Sequence, residues 1–140
     1  MLLNGDTEVV SSSWLHTLTA AAFSSPSVGI VGPLSNAASY QSVPEVFDHT
    51  VRRDWSLNAL PPQWAPNDVG RAVIRASRGE LIDVPVLNGF CLYIRRDVVM
   101  TVGLMDDVIF PYGFGEENDF CLRARRLGFS IKVRAPTSVG

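Results

Sequence analysis

Short apolar runs alternate with segments of helical periodicity along this 140-residue chain. Strand-like runs lie at residues 1–3, 28–32, 81–87, 90–94 and 129–133, and helical spacing of apolar residues lies at 11–23, 68–78, 97–102 and 116–127. Alternation of apolar residues places their side chains on one face of a strand, and spacing of three or four residues places them along one stripe of a helix. Elements of these two kinds bury their apolar faces by packing helices on a sheet. The alternation therefore predicts an α/β fold with a mixed sheet flanked by helices.

Between residues 34 and 67 the periodicity is weak. The segment is rich in proline and tryptophan: Pro44, Pro61, Pro62, Pro66, Trp55 and Trp64. A loop of this length inside a domain is usually functional or mobile. We therefore expect a long flexible loop at residues 34–67, with its aromatic side chains available to a ligand.

The composition narrows the classes of function. The net charge of −2 disfavours nucleic-acid binding, which usually requires a basic excess. No apolar run has the length of a transmembrane helix, and the N-terminus lacks the layout of a signal peptide. Cys91 and Cys121 lie in apolar runs without a Cys-x-x-Cys pair, so we expect reduced core residues. These features predict a soluble, cytoplasmic protein and leave a peripheral membrane association open.

The first chemical candidate is the turn formed by Asn4, Gly5 and Asp6 after the apolar run at residues 1–3. Ligands of α/β sheets bind at the carboxyl ends of the strands. A divalent cation prefers carboxylate oxygens and shares its coordination sphere with a diphosphate, so Asp6 is a candidate metal ligand. The alternative is ordinary turn chemistry, because asparagine, glycine and aspartate all favour turns.

The second candidate is the segment at residues 116–127, where Glu116, Glu117 and Asp119 begin a helix and arginines end it. Glu117 shares a helix face with Cys121 and should point inward. A carboxylate beside an apolar wall is suited to act as a general base. The alternative is a surface helix whose charges match the helix dipole.

A third candidate is the pair Asn88 and Gly89, which precedes a strand and could place an amide beside a ligand, or could form only a tight turn. The glycines at residues 29–32 lack the spacing of a phosphate loop. His16 and His49 have no second ligand at metal-binding spacing. No spacing supports a Ser/His/Asp or Cys/His catalytic set.

Taken together, these segments resemble the family-2 glycosyltransferases, in particular rhamnosyltransferases. The similar segments are residues 2–9, 29–36, 87–91 with 94–96, 103–106 with 110–111, and 115–123. Residues 115–123 read GEENDFCLR and look like the family signature Glu-Asp-x-Asp-Leu-x-x-Arg, which is the most specific part of the likeness. Residues 2–9 look like the strand end where the family carries its Asp-x-Asp motif.

The resemblance implies part of a GT-A fold and an inverting transfer from a nucleotide-sugar donor, in cell-surface polysaccharide biosynthesis. It implies a divalent metal, Mg²⁺ or Mn²⁺, and a glycan or lipid-linked acceptor. By position, Glu117 is the base and Asp6 contacts the metal or diphosphate. Asn4, Asn88 and Gly89 adjoin the donor. Glu116 and Trp55 are expected to adjoin the acceptor.

The chain departs from the family pattern at two of these positions. Glu117 stands where the family usually has aspartate, and Asn4 stands where it often has an acid. The family's nucleotide-binding strands would precede Met1, so residues 1–140 are expected to form a single partial domain. Strands missing from the sheet would expose an edge, which predicts a homodimer. The alternative function is a non-catalytic glycan- or protein-binding module derived from such an enzyme.

Overall fold

Five short strands form a mixed sheet, and four helices accompany it, in a computed structural model that describes residues 1–50 and 54–136. The strands of the sheet are β1 (Leu2–Leu3), β2 (Val28–Pro33), β5 (Leu81–Asp83), β6 (Cys91–Ile94) and β7 (Ser130–Arg134). A separate hairpin consists of β3 (Phe47–Asp48) and β4 (Asp54–Trp55). The helices are α1 (Trp14–Ala22), α2 (Pro66–Ala76), α3 (Arg96–Val102) and α4 (Glu116–Arg126).

The strand order in the sheet is β1-β6-β2-β7-β5. Only β2 and β7 are parallel, and the remaining neighbours are antiparallel. The α/β class and the mixed sheet predicted from the alternation are thus confirmed. No helix within residues 1–50 and 54–136 has the length and apolar character needed to span a bilayer.

Successive residues of β2 enter two different cores. Ile30 packs with residues of α3 and α4, including Val98 and Phe120. Val31 packs with residues of α1, including Leu18 and Ala22. Since side chains of a strand alternate between the two faces of a sheet, α1 covers one face and α3 with α4 covers the other. The nearly continuous burial of β2 follows from this double cover.

The predicted helices form within two or three residues of their expected bounds. The acidic first turn and basic last turn of α4 match the dipole of the helix. Gly128 follows this helix with a φ of 90°, a conformation that favours glycine. The helix α1 begins after Ser13, whose side chain makes no capping hydrogen bond.

The predicted strand at residues 81–87 is shorter in the structure. Only Leu81–Asp83 pair with β7, and the ladder continues through one hydrogen bond from the Val84 amide to the carbonyl of Ile131. Pro85 then lacks an amide to continue the pairing. Val84 and Leu87 instead turn into the core beneath α4.

Residues 34–67, expected to form one long loop, contain local structure. A short 3-10 turn spans Ser39–Gln41, and the hairpin of β3 and β4 follows it, with its residues 51–53 outside the described part of the chain. The helix α2 begins at Pro66, inside the end of the expected loop. The first helical position suits proline, whose missing amide would have no partner there.

Cys91 and Cys121 are buried and form no disulfide, as predicted. Burial raises the pKa of each thiol to about 11, which keeps both protonated at neutral pH.

Candidate active site

Glu117 lies in the first turn of α4 and faces the interior of the fold. Its side chain is half-buried, and its Oε2 accepts a hydrogen bond from the Gly115 amide at 3.3 Å. A β-carbon added to Gly89 would lie 3.6 Å from the Cγ of Glu117, so the Gly89 backbone packs directly on this side chain. Burial raises the pKa of Cys121, and the neighbouring Glu117 carboxylate adds to that rise. The inward direction predicted from the helical spacing is therefore what the structure has.

The loop that leads into α4 determines where Glu117 points. Gly113, Phe114 and Gly115 have φ values of 76°, 66° and 126°, so three successive residues adopt positive φ. A β-carbon on Gly115 would lie 3.0 Å from the Phe110 ring. Any other residue at position 115 would therefore be strained by this close contact and by the positive φ. The chain consequently enters α4 from a tight, left-handed turn.

A cavity of about 280 Å³ lies in front of Glu117. Its walls come from residues 37–39, 55–57, 86 and 88, and from the start of α4. Trp55 and Asn88, both expected near a ligand, therefore share this cavity with Glu117. These three residues are separated by 29 positions or more in the sequence, and the tertiary structure alone brings them together.

Trp55 belongs to a small aromatic cluster. Its ring stacks on Phe47 with centroids 5.1 Å apart, and Tyr40 meets it edge-on at 5.0 Å. The residue remains 39% exposed. A rigid, partly exposed indole beside a carboxylate is suited to pack against an apolar sugar face.

The turn at Asn4 and Asp6 extends from β1 along the loop that holds Asn88. The Asn4 amide donates to the Phe90 carbonyl at 2.9 Å, and the Thr7 amide closes the turn on the Asn4 carbonyl at 3.2 Å. Asn4, Asp6 and Asn88 line a second, larger cleft of about 600 Å³. Asp6 and Glu117 thus lie in two different cavities, and Asn88 borders both.

Asn88 is held by a residue that the sequence analysis did not single out. The fully buried Gln41 accepts a hydrogen bond from the Asn88 amide at 2.7 Å and donates one to the Pro33 carbonyl at 2.9 Å. Asn88 Oδ1 in turn accepts from the Phe90 amide at 3.0 Å. The only sequence signal for Gln41 was a polar residue in a loop, which does not indicate burial.

Glu116 lies on a different side of α4 from Glu117. Its carboxylate lies near Gly113, where an added β-carbon would be 3.6 Å from Oε1. One oxygen, Oε2, is buried and has no hydrogen-bond partner within the described residues. Glu116 does not line the cavity in front of Glu117, to which α4 contributes Glu117 and Asn118, so its expected place beside the acceptor is not found in this cavity.

The fit of a divalent metal rests on Asp6. This carboxylate is exposed, and so is Asn4, which lines the same cleft. Within the described residues, no three His, Cys, Asp or Glu side chains lie close enough to hold a metal together. Magnesium can bind through one carboxylate when substrate phosphates complete its coordination. A single exposed carboxylate, Asp6, fits a cation that is shared with a diphosphate.

Compared with protein-family models, curated proteins and solved structures, the chain matches none.

Proposed function

We propose that this chain forms the acceptor side of an inverting glycosyltransferase of the GT-A type. The main support for this proposal is that Glu117, Trp55 and Asn88 line one cavity, while Asn88 also borders the cleft of Asp6. A transferase needs a base beside the acceptor and a diphosphate contact nearby. Two adjoining cavities with a shared amide wall meet that requirement.

In this proposal Glu117 receives the proton of an acceptor hydroxyl. The deprotonated oxygen forms a bond to the anomeric carbon of the donor sugar, and the bond to the nucleoside diphosphate breaks with its electron pair on the leaving phosphate. A single displacement of this kind inverts the anomeric centre. Holding the acceptor on Trp55 would orient its hydroxyl toward Glu117, which lowers the entropic part of the barrier.

The donor is expected in the cleft on the other side of Asn88. Asp6 and Asn4 would face the diphosphate, and the backbone at Asn88 and Gly89 would adjoin the sugar. A bound Mg²⁺ or Mn²⁺ would neutralise charge on the leaving diphosphate. The carboxylate of Glu116 lies beside Gly113, outside the cavity of Glu117. A contact between Glu116 and the acceptor would therefore require the acceptor to extend over the loop at Gly113 and Phe114.

Replacing the proposed base tests this function. We expect Glu117→Gln to lower sugar transfer from nucleotide sugars by about 10²- to 10⁴-fold, the usual contribution of a general base. The measurement is product formation with Mn²⁺ or Mg²⁺ and a panel of UDP- and dTDP-sugars. Glu45→Gln is the matched control, because Glu45 is exposed and its carboxylate pairs with the exposed His49, away from the residues that line the two cavities. Equal rates for both variants would show that Glu117 is not the base.

A second candidate function is a non-catalytic glycan-binding module, which the cluster of Trp55, Phe47 and Tyr40 favours. Titration calorimetry with glycans and with nucleotide sugars separates the two functions. Trp55→Ala should weaken glycan binding by roughly tenfold, the value of one aromatic contact. Trp64→Ala is the control, since Trp64 is 45% exposed and lines neither cavity. Glycan binding without any nucleotide-sugar binding or transfer would favour the module.

A further inference from the structure

Arg134, the last residue of β7, is a half-buried cation that has no acidic partner within the described residues. The other half-buried cations of the described chain pair with aspartates: Arg95 with Asp97, Arg123 with Asp119, and Lys132 with Asp83. Within residues 1–50 and 54–136, no carboxylate forms an ion pair with Arg134. Charged groups are almost never fully buried without a partner, because removing them from water is costly.

The hydrogen bonds of this guanidinium are also incomplete. Nη1 of Arg134 donates to the Gly79 carbonyl. Its Nε is buried and finds no acceptor in the described part of the chain. A buried polar group without a partner calls for an explanation, and a bound anion is one of the few available. The arginine fork matches the oxygens of a phosphate.

Arg134 lines the 600 Å³ cleft at the position where ligands of α/β sheets usually bind. It pairs in register with Pro33, so it lies at the carboxyl end of both parallel strands, β2 and β7. The side chain therefore adds a positive charge to one end of the cleft.

The walls of the same cleft are largely apolar. Val69, Val73 and Ile74 line it from α2, and Trp14 and Leu18 line it from α1. A cavity with apolar walls and few polar groups is suited to a ligand that is mostly hydrocarbon. With the cation at its end, the cleft is complementary to a hydrocarbon chain that carries an anionic head.

Two acidic residues, Asp6 and Glu8, also line this cleft. Asp6 and Glu8 follow β1, which is separated from β7 by β6 and β2. Three strand spacings correspond to about 14 Å. The strand that precedes Asp6 is therefore three strand spacings from the strand that carries Arg134.

We propose that this cleft binds the phosphate and the proximal hydrocarbon chain of a lipid phosphate, with the phosphate on Arg134 and the chain along α2. The further statement that this lipid phosphate is the carrier of a lipid-linked acceptor rests on the proposed glycosyltransferase function. The binding of the lipid phosphate does not depend on that function.

The test is titration calorimetry of the full chain with butyl, hexyl and octyl phosphate below their micelle concentrations. Affinity should rise by roughly fourfold for each added methylene, the value of burying that group. Arg134→Gln should weaken octyl phosphate binding by about 10- to 100-fold, as expected for hydrogen bonds to a charged group. Arg126→Gln is the matched control, since Arg126 is exposed on α4, and it should bind like the unmodified chain.

A second variant keeps the proposal testable if Arg134→Gln fails to fold. Val73→Asn places an amide on the α2 wall of the cleft. It should reduce the gain in affinity from butyl to octyl phosphate, and circular dichroism verifies that the variant folds. Three results would overturn the proposal: affinity independent of chain length, inorganic phosphate binding as tightly as octyl phosphate, or UDP displacing octyl phosphate while its own binding depends on Arg134. Glu117→Gln separates the two proposals, because it should lower transfer by about 10²- to 10⁴-fold and leave octyl phosphate binding unchanged.

Discussion

At the scale of single residues, the buried polar side chain of Gln41 holds the backbone around the candidate site. Gln41 is completely buried, yet both ends of its amide are used, one on Asn88 and one on Pro33. Gly32 leaves the room that this side chain needs, because a β-carbon there would lie 2.6 Å from Gln41 Nε2. Gln41 therefore joins the end of β2 to the loop that separates the two cavities.

We predict that Gln41→Leu destabilises the protein by about 2 to 4 kcal/mol, since it leaves the Asn88 amide and the Pro33 carbonyl without partners. Urea unfolding measures this free energy. Hydrogen exchange should show faster exchange at the Asn88 amide. Gln63→Leu is the control, because Gln63 is exposed, and it should change stability by less than about 0.5 kcal/mol. An unchanged unfolding midpoint for Gln41→Leu would refute the assigned role.

At the scale of elements, the side chain of Arg123 holds α4 against the end of α3. Arg123 pairs with Asp119 at 2.7 Å and donates to the carbonyls of Val102 and Leu104 at 3.0 and 2.9 Å. These bonds attach α4 to the end of α3. The orientation of α4 in turn places Glu117 against Gly89, so an element contact far from the cavity contributes to the geometry of the candidate base.

Removing this attachment should loosen α4. We expect Arg123→Ala to lower the free energy of unfolding by about 2 kcal/mol, because two carbonyls and one carboxylate lose a charged donor. Arg126→Ala on the same helix is the matched control, since Arg126 is exposed and forms no ion pair within the described residues. Thermal unfolding followed by circular dichroism compares the two variants. Similar melting temperatures would contradict the assigned role of Arg123.

At the scale of the whole molecule, the described sheet ends in a short apolar edge strand. Leu2 and Leu3 of β1 are 47% and 42% exposed, and β6 is their only neighbouring strand in the described sheet. An edge of this kind offers unpaired backbone groups and apolar side chains to a second chain. The homodimer expected from the sequence remains a prediction, and β1 is the edge that would carry it.

Sedimentation analysis tests this edge directly. We predict concentration-dependent dimerisation, weakened when Leu3→Lys places a charge on β1. Ile82→Lys is the matched control, because Ile82 is 48% exposed on β5 at the opposite edge of the same sheet. A monomer at every concentration, or equal weakening by both substitutions, would rule out dimerisation through β1.

The sequence by itself determined the elements and their class. Helical spacing and charge order located α4, and short apolar runs located the strands, because these patterns act between residues close along the chain. The inward face of Glu117 also followed from its spacing to Cys121. The hairpin of β3 and β4 escaped prediction, since pairs of only two residues leave too little periodicity to detect.

Only the tertiary structure decided which of these residues meet. Gln41 and Asn88 are 47 positions apart, and no local pattern indicates their hydrogen bond. The same holds for the cavity that joins Trp55 to Glu117, and for the Nε of Arg134, which is buried without an acceptor in the part of the chain that the structure describes. Contacts of this kind depend on how the strands are ordered in the sheet. That order is set by the packing of the whole core, and local spacing along the chain does not encode it.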